Sequence, residues 1–232
     1  MKKYFWVYMI ILCCFSDALF AAKYNSAAAV TNARLGLAYL SKGFYTQSKE
    51  RLLSALRDDP AIAAGWYSMA FYLEKTGNNM LAEKYYRKAI AVEPHSGSAK
   101  NNYGTFLCRS GRYPESIHYF VQAANEKTYL DSAGAYENAG ICALMMKDNK
   151  AATQYFHQAL QNNPSMPFSL LNMAKLSHLN GDDSAAEKYF VDFKEVALNN
   201  KSAATVQRYQ QYVFSNAIQN NSQSNITLPQ PK

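Results

Sequence analysis

The stretch that decides the fold runs from Ala63 to Ser96 and reads AAGWYSMAFYLEKTGNNMLAEKYYRKAIAVEPHS. Counted from Ala63 as position 1, its informative residues are Trp66, Ala70, Gly77, Ala82, Tyr86, Ala89 and Pro94, at positions 4, 8, 15, 20, 24, 27 and 32. The small residues at positions 8, 20 and 27 let two helix axes approach, and the large ones fill the gaps between neighbouring units. Because Pro94 ends the second helix, the stretch predicts one complete antiparallel helix pair.

The same spacing recurs on both sides of this stretch with a period of 34 residues. Matching residues before and after it are Leu35-Gly36, Tyr39, Gly43, Ala55 and Pro60, and then Tyr103-Gly104, Leu107, Gly111, Phe120 and Ala123. After a slip of two residues, further units begin at Ala133 and Pro167. This pattern resembles the tetratricopeptide repeat (TPR). The resemblance implies an all-α fold, a right-handed superhelical solenoid of five to six helix pairs around one continuous core.

Composition agrees with a helical, folded protein. The chain has 232 residues, 49% of them hydrophobic, and only 10 Gly and 7 Pro. That apolar fraction excludes wholesale disorder, and the few turn-forming residues argue against a β architecture. The net charge of +7 biases association toward anionic partners without identifying one.

The first residues are typical of an export signal. Lys2 and Lys3 precede an apolar run over 4–15, which is too short to span a bilayer, and Ala21 and Ala22 offer a cleavage point. We therefore expect a secretory signal peptide over 1–22, with a short uncleaved membrane anchor as the alternative. Either way the bulk of the chain leaves the cytoplasm, and nucleic acid is not an expected partner, since no long basic run is present.

The C-terminal part divides into two segments. The stretch Ser202 to Ser215 is amphipathic and has no partner helix, so it is a terminal capping helix or the first half of a decayed sixth unit. Residues 217–232 are rich in Asn, Gln and Ser and lack a helical period. We predict three regions: a signal peptide over 1–22, a TPR solenoid with a capping helix over 23–216, and a disordered tail over 217–232.

Two cysteines remain once the export signal is set aside. Cys108 and Cys142 lie in neighbouring units, and a pair of cysteines in an oxidising compartment is a candidate disulfide. The alternative is two separately buried thiols, which helical cores often contain.

Catalytic signatures are not found in the sequence. The four histidines, His95, His118, His157 and His178, lie in separate units without metal-ligand spacing, and no glycine-rich phosphate-binding loop occurs. We predict that the protein is not an enzyme and has no catalytic residue, metal, cofactor or small-molecule substrate.

Family geometry implies that the first helix of each unit lines a concave groove. The residues expected to face a protein partner there are Tyr67, Phe71, Glu74, Asn101, Thr105, Arg109 and Glu137. Aromatic, amide and arginine side chains are common ingredients of a peptide-binding surface. For Tyr67 and Phe71 the alternative is packing against neighbouring helices.

A narrower resemblance rests on several runs of residues. They are AEKYYRKAIAVEPHSGS over 82–98, NNYGTFLC over 101–108, GRY over 111–113, the pair Tyr129-Leu130, and ENAGICA over 137–143. Together they resemble the PilF/PilW family, the periplasmic TPR proteins of type IV pilus biogenesis. Members help the outer-membrane secretin to reach the membrane and multimerise, as pilotins do, or stabilise the assembled fibre.

The resemblance carries further implications for this chain. It implies the secretin as partner, a periplasmic location and, since some members carry a matching pair, a disulfide between Cys108 and Cys142. Many members are lipoproteins, but Leu12 precedes Cys13 here, where lipidation needs a small residue. Peripheral association with the outer membrane therefore stays open. The alternative function is a generic exported TPR scaffold for envelope or peptidoglycan-associated assembly.

Overall fold

Pairs of antiparallel helices form nearly all of the described part of the chain. The computed structural model describes residues 24–198, 201 and 203–215, and no strand occurs among them. The first helices of the units are α1 (Ser26–Ser41), α3 (Ala63–Lys75), α5 (Gly97–Arg109), α7 (Ser132–Met145) and α9 (Pro167–Leu179). The second helices are α2 (Tyr45–Asp58), α4 (Asn79–Val92), α6 (Tyr113–Ala124), α8 (Asn149–Asn162) and α10 (Asp183–Phe193). The predicted all-α solenoid of helix pairs is confirmed.

Each first helix packs against its own second helix and against the first helices of the adjacent units. Each second helix packs against the first helix of the following unit. The first helices therefore form one continuous row, and the second helices form the opposite, outer side. The predicted signal peptide over 1–22 and the predicted tail over 217–232 lie outside the described residues.

Close packing within a unit depends on the small residue at position 8. A Cβ atom added to Gly36 would lie 2.6 Å from the Leu52 side chain, and one added to Gly140 would lie 2.7 Å from the ring of Phe156. Position 24 supplies the large residue that fills the space beside it. Its aromatic rings are fully or almost fully buried in four consecutive units: Tyr86, Phe120, Phe156 and Phe190.

The turn between the two helices of a unit has the same backbone conformation in every unit and often the same kind of helix cap. Position 15 has a left-handed backbone, with φ between 77° and 85° at Gly43, Gly77, Gly111 and Gly181. In the fourth unit this position is held by Lys147, at φ 63°. The next residue is often Asn or Asp, whose side chain accepts a hydrogen bond from the N-terminus of the second helix, as Asn78 and Asp148 do.

The two-residue slip falls between α6 and α7, where residues 125–131 form a link made mostly of turns. In that link the Tyr129 ring lies against Gly97, and a Cβ on Gly97 would overlap it. Glu126 of the same link forms an ion pair with Lys100 of α5. The link therefore packs on the start of α5 and keeps the solenoid continuous across the altered spacing.

The described part ends with a π-helical turn, Lys194–Leu198, and with α11 (Ala203–Phe214). Helix α11 packs against α9, where Val213 is fully buried. The Lys175 ammonium group donates to the backbone carbonyl of Ser215 just beyond the end of α11. The side of α11 that faces away from α9 carries exposed residues such as Gln207, Arg208 and Gln211. A polar outer face of this kind is what a terminal capping element requires.

Candidate functional site

The row of first helices contains a pocket at its N-terminal half. The pocket has a volume of about 310 Å³ and lies between α1, α3 and α5. Its wall includes Val30, Arg34 and Leu37 of α1, Ile62, Tyr67 and Ser68 at α3, and Ser98 of α5. A volume of this size is at the lower end of the range for ligand pockets and suits one large side chain of a bound segment.

Tyr67 is the predicted groove residue that lines this pocket. Its side chain is half-buried, and burial, assisted by the nearby Glu93 carboxylate, raises the pKa of its phenol, which Arg34 opposes. The phenol is therefore neutral in the physiological range and can both donate and accept a hydrogen bond. Arg34 is exposed at the same pocket, so an aromatic group and a cation stand side by side.

Phe71, Glu74 and Arg109 form one cluster between the second and third units. Arg109 binds Glu74 with two hydrogen bonds, from Nε to Oε1 at 2.7 Å and from one terminal nitrogen to Oε2 at 2.9 Å. The Tyr86 hydroxyl donates to Glu74 Oε2 at 3.1 Å. The Arg109 guanidinium lies 5.7 Å and the Lys75 ammonium 5.2 Å from the centre of the Phe71 ring.

This cluster changes what each of its members offers to a partner. Glu74 already accepts three hydrogen bonds, so its first role is to join the two units. Arg109 keeps about half of its side chain exposed, at 44%, and Phe71 is partly exposed between two cations. A partner would therefore meet a surface of aromatic and cationic groups, with the carboxylate beneath it.

The remaining predicted groove residues are also engaged within the chain. Asn138 Nδ2 donates to Asn101 Oδ1 at 3.0 Å, and the Thr105 hydroxyl donates to the Asn101 carbonyl at 2.9 Å. Glu137 Oε2 accepts from the backbone N–H of Ser169 at 3.0 Å and from its hydroxyl at 2.8 Å. Partner contact by these residues stays a prediction.

Burial gives Glu137 a distinct electrostatic character. It raises the pKa of the carboxyl, and the two hydrogen bonds from Ser169 oppose that rise. Ser169 lies in the first turn of α9, where unpaired backbone N–H groups favour an acceptor. Glu137 therefore caps the helix of the next unit and fixes the junction between units four and five.

Cys108 and Cys142 form a disulfide in the structure, and their Cα atoms are 5.9 Å apart. The bridge joins α5 to α7 and so links the third unit to the fourth. That Cα separation lies in the usual range for disulfides, so no backbone movement is needed to close the bond.

The first unit also contributes to the groove, which the residues predicted from the sequence do not include. Arg34 and Leu37 line the pocket, although the candidate residues were drawn from units two to four. The repeat itself indicates this contribution, because Leu37 occupies position 9 of its unit, the same position as Phe71 in the next unit. In the part of the chain that the structure describes, no group of three or more His, Cys, Asp or Glu side chains could hold a metal ion. Nor is any described helix long and apolar enough to cross a membrane.

With the geometry established, comparison with known proteins identifies the family. The family model described as tetratricopeptide repeat matches residues 24–190. The chain belongs to the tetratricopeptide repeat family. Its 34-residue units, its position-8 contacts and its turns are therefore properties that this TPR protein shares with a known class of repeat.

Some of the similar proteins are named for their part in type IV pili. The chain is 32% identical over 157 residues to the type IV pilus assembly protein PilF of Pseudomonas aeruginosa, which covers 68% of this chain and 62% of PilF. The matched stretch thus spans about three fifths of that relative. A solved structure of Pseudomonas aeruginosa PilF has a TM-score of 0.69 and 30% identity, covering 82% of this chain and 86% of that one.

Two further solved structures extend this comparison. PilW, described as a widely conserved type IV pilus biogenesis factor, has a TM-score of 0.67 and 26% identity, covering 83% of this chain and 88% of its own. A structure of MamA has a TM-score of 0.57 at 18% identity, covering 71% of this chain and 95% of its own, and shows the fold alone. The resemblance to PilF and PilW predicted from the sequence is confirmed.

Proposed function

We propose that this TPR protein is a periplasmic type IV pilus biogenesis factor. In this proposal it binds the outer-membrane secretin and promotes the localisation or multimerisation of that protein. The observation that carries the proposal is the similarity to PilF, which extends over 82% of the chain in three dimensions. Similarity over nearly the whole solenoid includes the row of first helices, where a partner segment would bind.

The groove supports a mechanism of binding without catalysis. A segment of the secretin would place one large side chain in the pocket beside Tyr67 and lay its backbone along the aromatic and cationic surface of Phe71 and Arg109. Most of the groove residues are already held by bonds between units, so little side-chain entropy is lost when the partner arrives. A rigid, preformed surface of this kind suits capture of an extended segment.

The test is a deletion strain in which heat-resistant secretin multimers are measured by immunoblot. We expect multimers to be lost on deletion and restored by the wild-type gene. Tyr67→Ala and Arg34→Ala should restore them poorly, because each removes one wall of the pocket. Lys150→Ala is the matched control, since it removes an exposed cation from the outer helix α8, and it should restore multimers fully.

Thermal unfolding of each purified variant separates binding from folding. Arg34 is exposed, so Arg34→Ala should melt as the wild type does even if Tyr67→Ala loses stability. Normal multimers and normal pili in the deletion strain would contradict the proposal. That result would favour the second candidate, an exported TPR scaffold for envelope or peptidoglycan-associated assembly.

A further inference from the structure

The exposed aromatic side chains are concentrated at one end of the solenoid. Among the described residues, the aromatic side chains with the largest exposed fractions are Tyr24 at 59%, Tyr45 at 51% and Phe44 at 49%. Phe44 and Tyr45 belong to the first unit, and Tyr24 precedes the first helix of that unit. The groove and the core of the other units use their aromatic residues for packing, so this exposure needs a separate explanation.

Helix α2 arranges these groups in a stripe together with cations. Tyr45, Lys49, Leu53 and Arg57 follow one another at intervals of four residues, which places them on one helix face, and all of them are exposed. Phe44 precedes the stripe at the start of the helix. At its other end, the backbone N–H of Asn25 donates to the Asp58 carbonyl at 2.9 Å, and this contact holds Tyr24 beside the end of α2.

The outer helix of the second unit also exposes apolar and cationic side chains. On α4, Met80 has 86% of its side chain exposed, and Lys84, Arg87 and Lys88 are exposed along the same helix. Glu83 of the same helix pairs with Arg87 at 2.8 Å. We define the N-terminal outer surface as the exposed residues of α2 and α4 together with Tyr24 and Phe44.

The opposite end of the outer side has the reverse charge. Helix α10 exposes two carboxylates, Asp183 and Glu187, and one cation, Lys188. It also exposes Val191. Exposed positive charge is therefore largest on α2 and α4, where Glu50 is the one exposed carboxylate, and α10 has a small excess of exposed negative charge. An anionic surface would be attracted to the first two units and repelled by the fifth, so the molecule would bind it in one orientation.

We propose that the N-terminal outer surface docks on a membrane surface that carries anionic lipid headgroups. Cations attract such headgroups, and exposed aromatic and aliphatic side chains insert at their level, which is the combination that interfacial binding requires. An acidic protein partner would use the same cations, and the test below distinguishes it from a membrane. This inference does not depend on the proposed secretin partner.

The test measures cosedimentation of the full chain with vesicles of two compositions. One is phosphatidylethanolamine with phosphatidylglycerol, and the other is phosphatidylcholine alone. The readout is the ratio of the two partition coefficients, because the apolar stretch over 4–15 adds the same background to every variant. We expect the wild-type ratio to be well above one and to fall with added salt.

Two variants and two matched controls make the test specific. Lys49→Gln with Lys84→Gln should lower the ratio by about fivefold for each cation removed. Tyr45→Ser with Leu53→Ser should lower partition to the anionic vesicles without a change in charge. Lys150→Gln with Lys188→Gln repeats the lysine exchange on α8 and α10 and should leave the ratio unchanged. Val191→Ser removes one exposed apolar side chain from α10 and should leave partition to the anionic vesicles unchanged.

Equal losses in the test and control variants would show that only net charge matters. Unchanged partition of the Tyr45→Ser, Leu53→Ser variant to the anionic vesicles, with equal binding of the wild type to soluble polyglutamate, would point to an acidic protein partner. Each variant changes only exposed side chains, so its melting temperature should match that of the wild type.

Discussion

At the residue scale, the turn between the helices of the fourth unit departs from the other four. Position 15 has a left-handed backbone in every unit, and four units place glycine there. Lys147 adopts the same conformation at φ 63°, where its Cβ approaches the carbonyl oxygen that follows it. The fold of the repeat imposes the turn on this lysine.

We expect Lys147→Gly to increase the free energy of unfolding by roughly 0.5–1 kcal/mol, because relief of the left-handed strain exceeds the extra freedom of glycine in the unfolded chain. Urea unfolding followed by circular dichroism measures the change. Lys147→Gln removes the charge but keeps the strain, so it should show no gain. The converse exchange, Gly77→Lys at φ +85°, should destabilise the protein; equal shifts in the glycine and glutamine variants would contradict the explanation.

Position 8 illustrates how well single residues could be predicted from the sequence. The repeat requires a small residue there, and the ring of Phe120 would lie 2.9 Å from a Cβ on Gly104. Such a requirement is local to one helix pair, so periodicity alone reveals it. Groove residues are different, because the side chain of Glu74 could be placed on the correct helix but its bond to Arg109 could not.

At the element scale, the helices of neighbouring units are joined by carboxylates that accept several hydrogen bonds. Glu83 of α4 accepts from Arg112 just before α6 at 2.8 Å, from the Tyr103 hydroxyl of α5 at 2.8 Å, and from Arg87 of its own helix. Partial burial opposes ionisation, but these hydrogen bonds hold the pKa of Glu83 down at about 2. Ionised Glu83 therefore contributes to the junction between units two and three.

The low pKa of Glu83 predicts a specific sensitivity to acid. A carboxyl whose pKa is lower in the folded than in the unfolded state stabilises the fold fully above its unfolded value, and this contribution is lost as pH falls toward 2. Thermal melts between pH 6 and pH 2.5 should therefore show a smaller loss of stability for Glu83→Gln than for the wild type. Tyr103→Phe removes one of the three donors and should have a smaller effect of the same sign. Parallel pH profiles for the wild type and Glu83→Gln would exclude this role.

The link between α6 and α7 marks where element prediction was less complete. The two-residue slip was visible as a shift of register, but the contact of Tyr129 with Gly97 and the ion pair of Glu126 with Lys100 were not. The π-helical turn Lys194–Leu198 had no signal in the sequence either. Irregular segments depend on the elements around them, whereas a periodic helix contains its own signal.

At the scale of the whole molecule, the solenoid gains stability from contacts between successive units. In such a fold each unit contacts only its neighbours, so a covalent bridge between two units acts on the entire stack. Cys108 and Cys142 are 34 residues apart in sequence and join units three and four. The bridge reduces the conformational freedom of the unfolded chain over that loop.

Removal of the bridge should therefore destabilise the protein without changing its helical content. We expect Cys108→Ala with Cys142→Ala to lower the free energy of unfolding by about 2–4 kcal/mol, measured by urea unfolding without reductant. Thiol titration of the denatured, unreduced protein is the control for pairing. The wild type and the double variant should titrate the same number of thiols, and two additional thiols in the wild type would contradict a disulfide.

The sequence by itself determined the helix pairs, five to six in number, and the repeat positions that fill the core. These features depend on residue spacing within one unit and on the stacking of similar units, and the sequence period indicates both. Only the tertiary structure decided which groove side chains are already bonded within the chain. Arg109 reaches Glu74 across 35 residues of sequence and Ser169 reaches Glu137 across 32. The hydrogen-bond partner of a long polar side chain depends on which groups of the adjacent unit lie within a few ångströms. The spacing of residues in the sequence does not determine that distance. The pocket beside Arg34 and the uneven charge of the outer helices likewise depend on how the units are placed against one another.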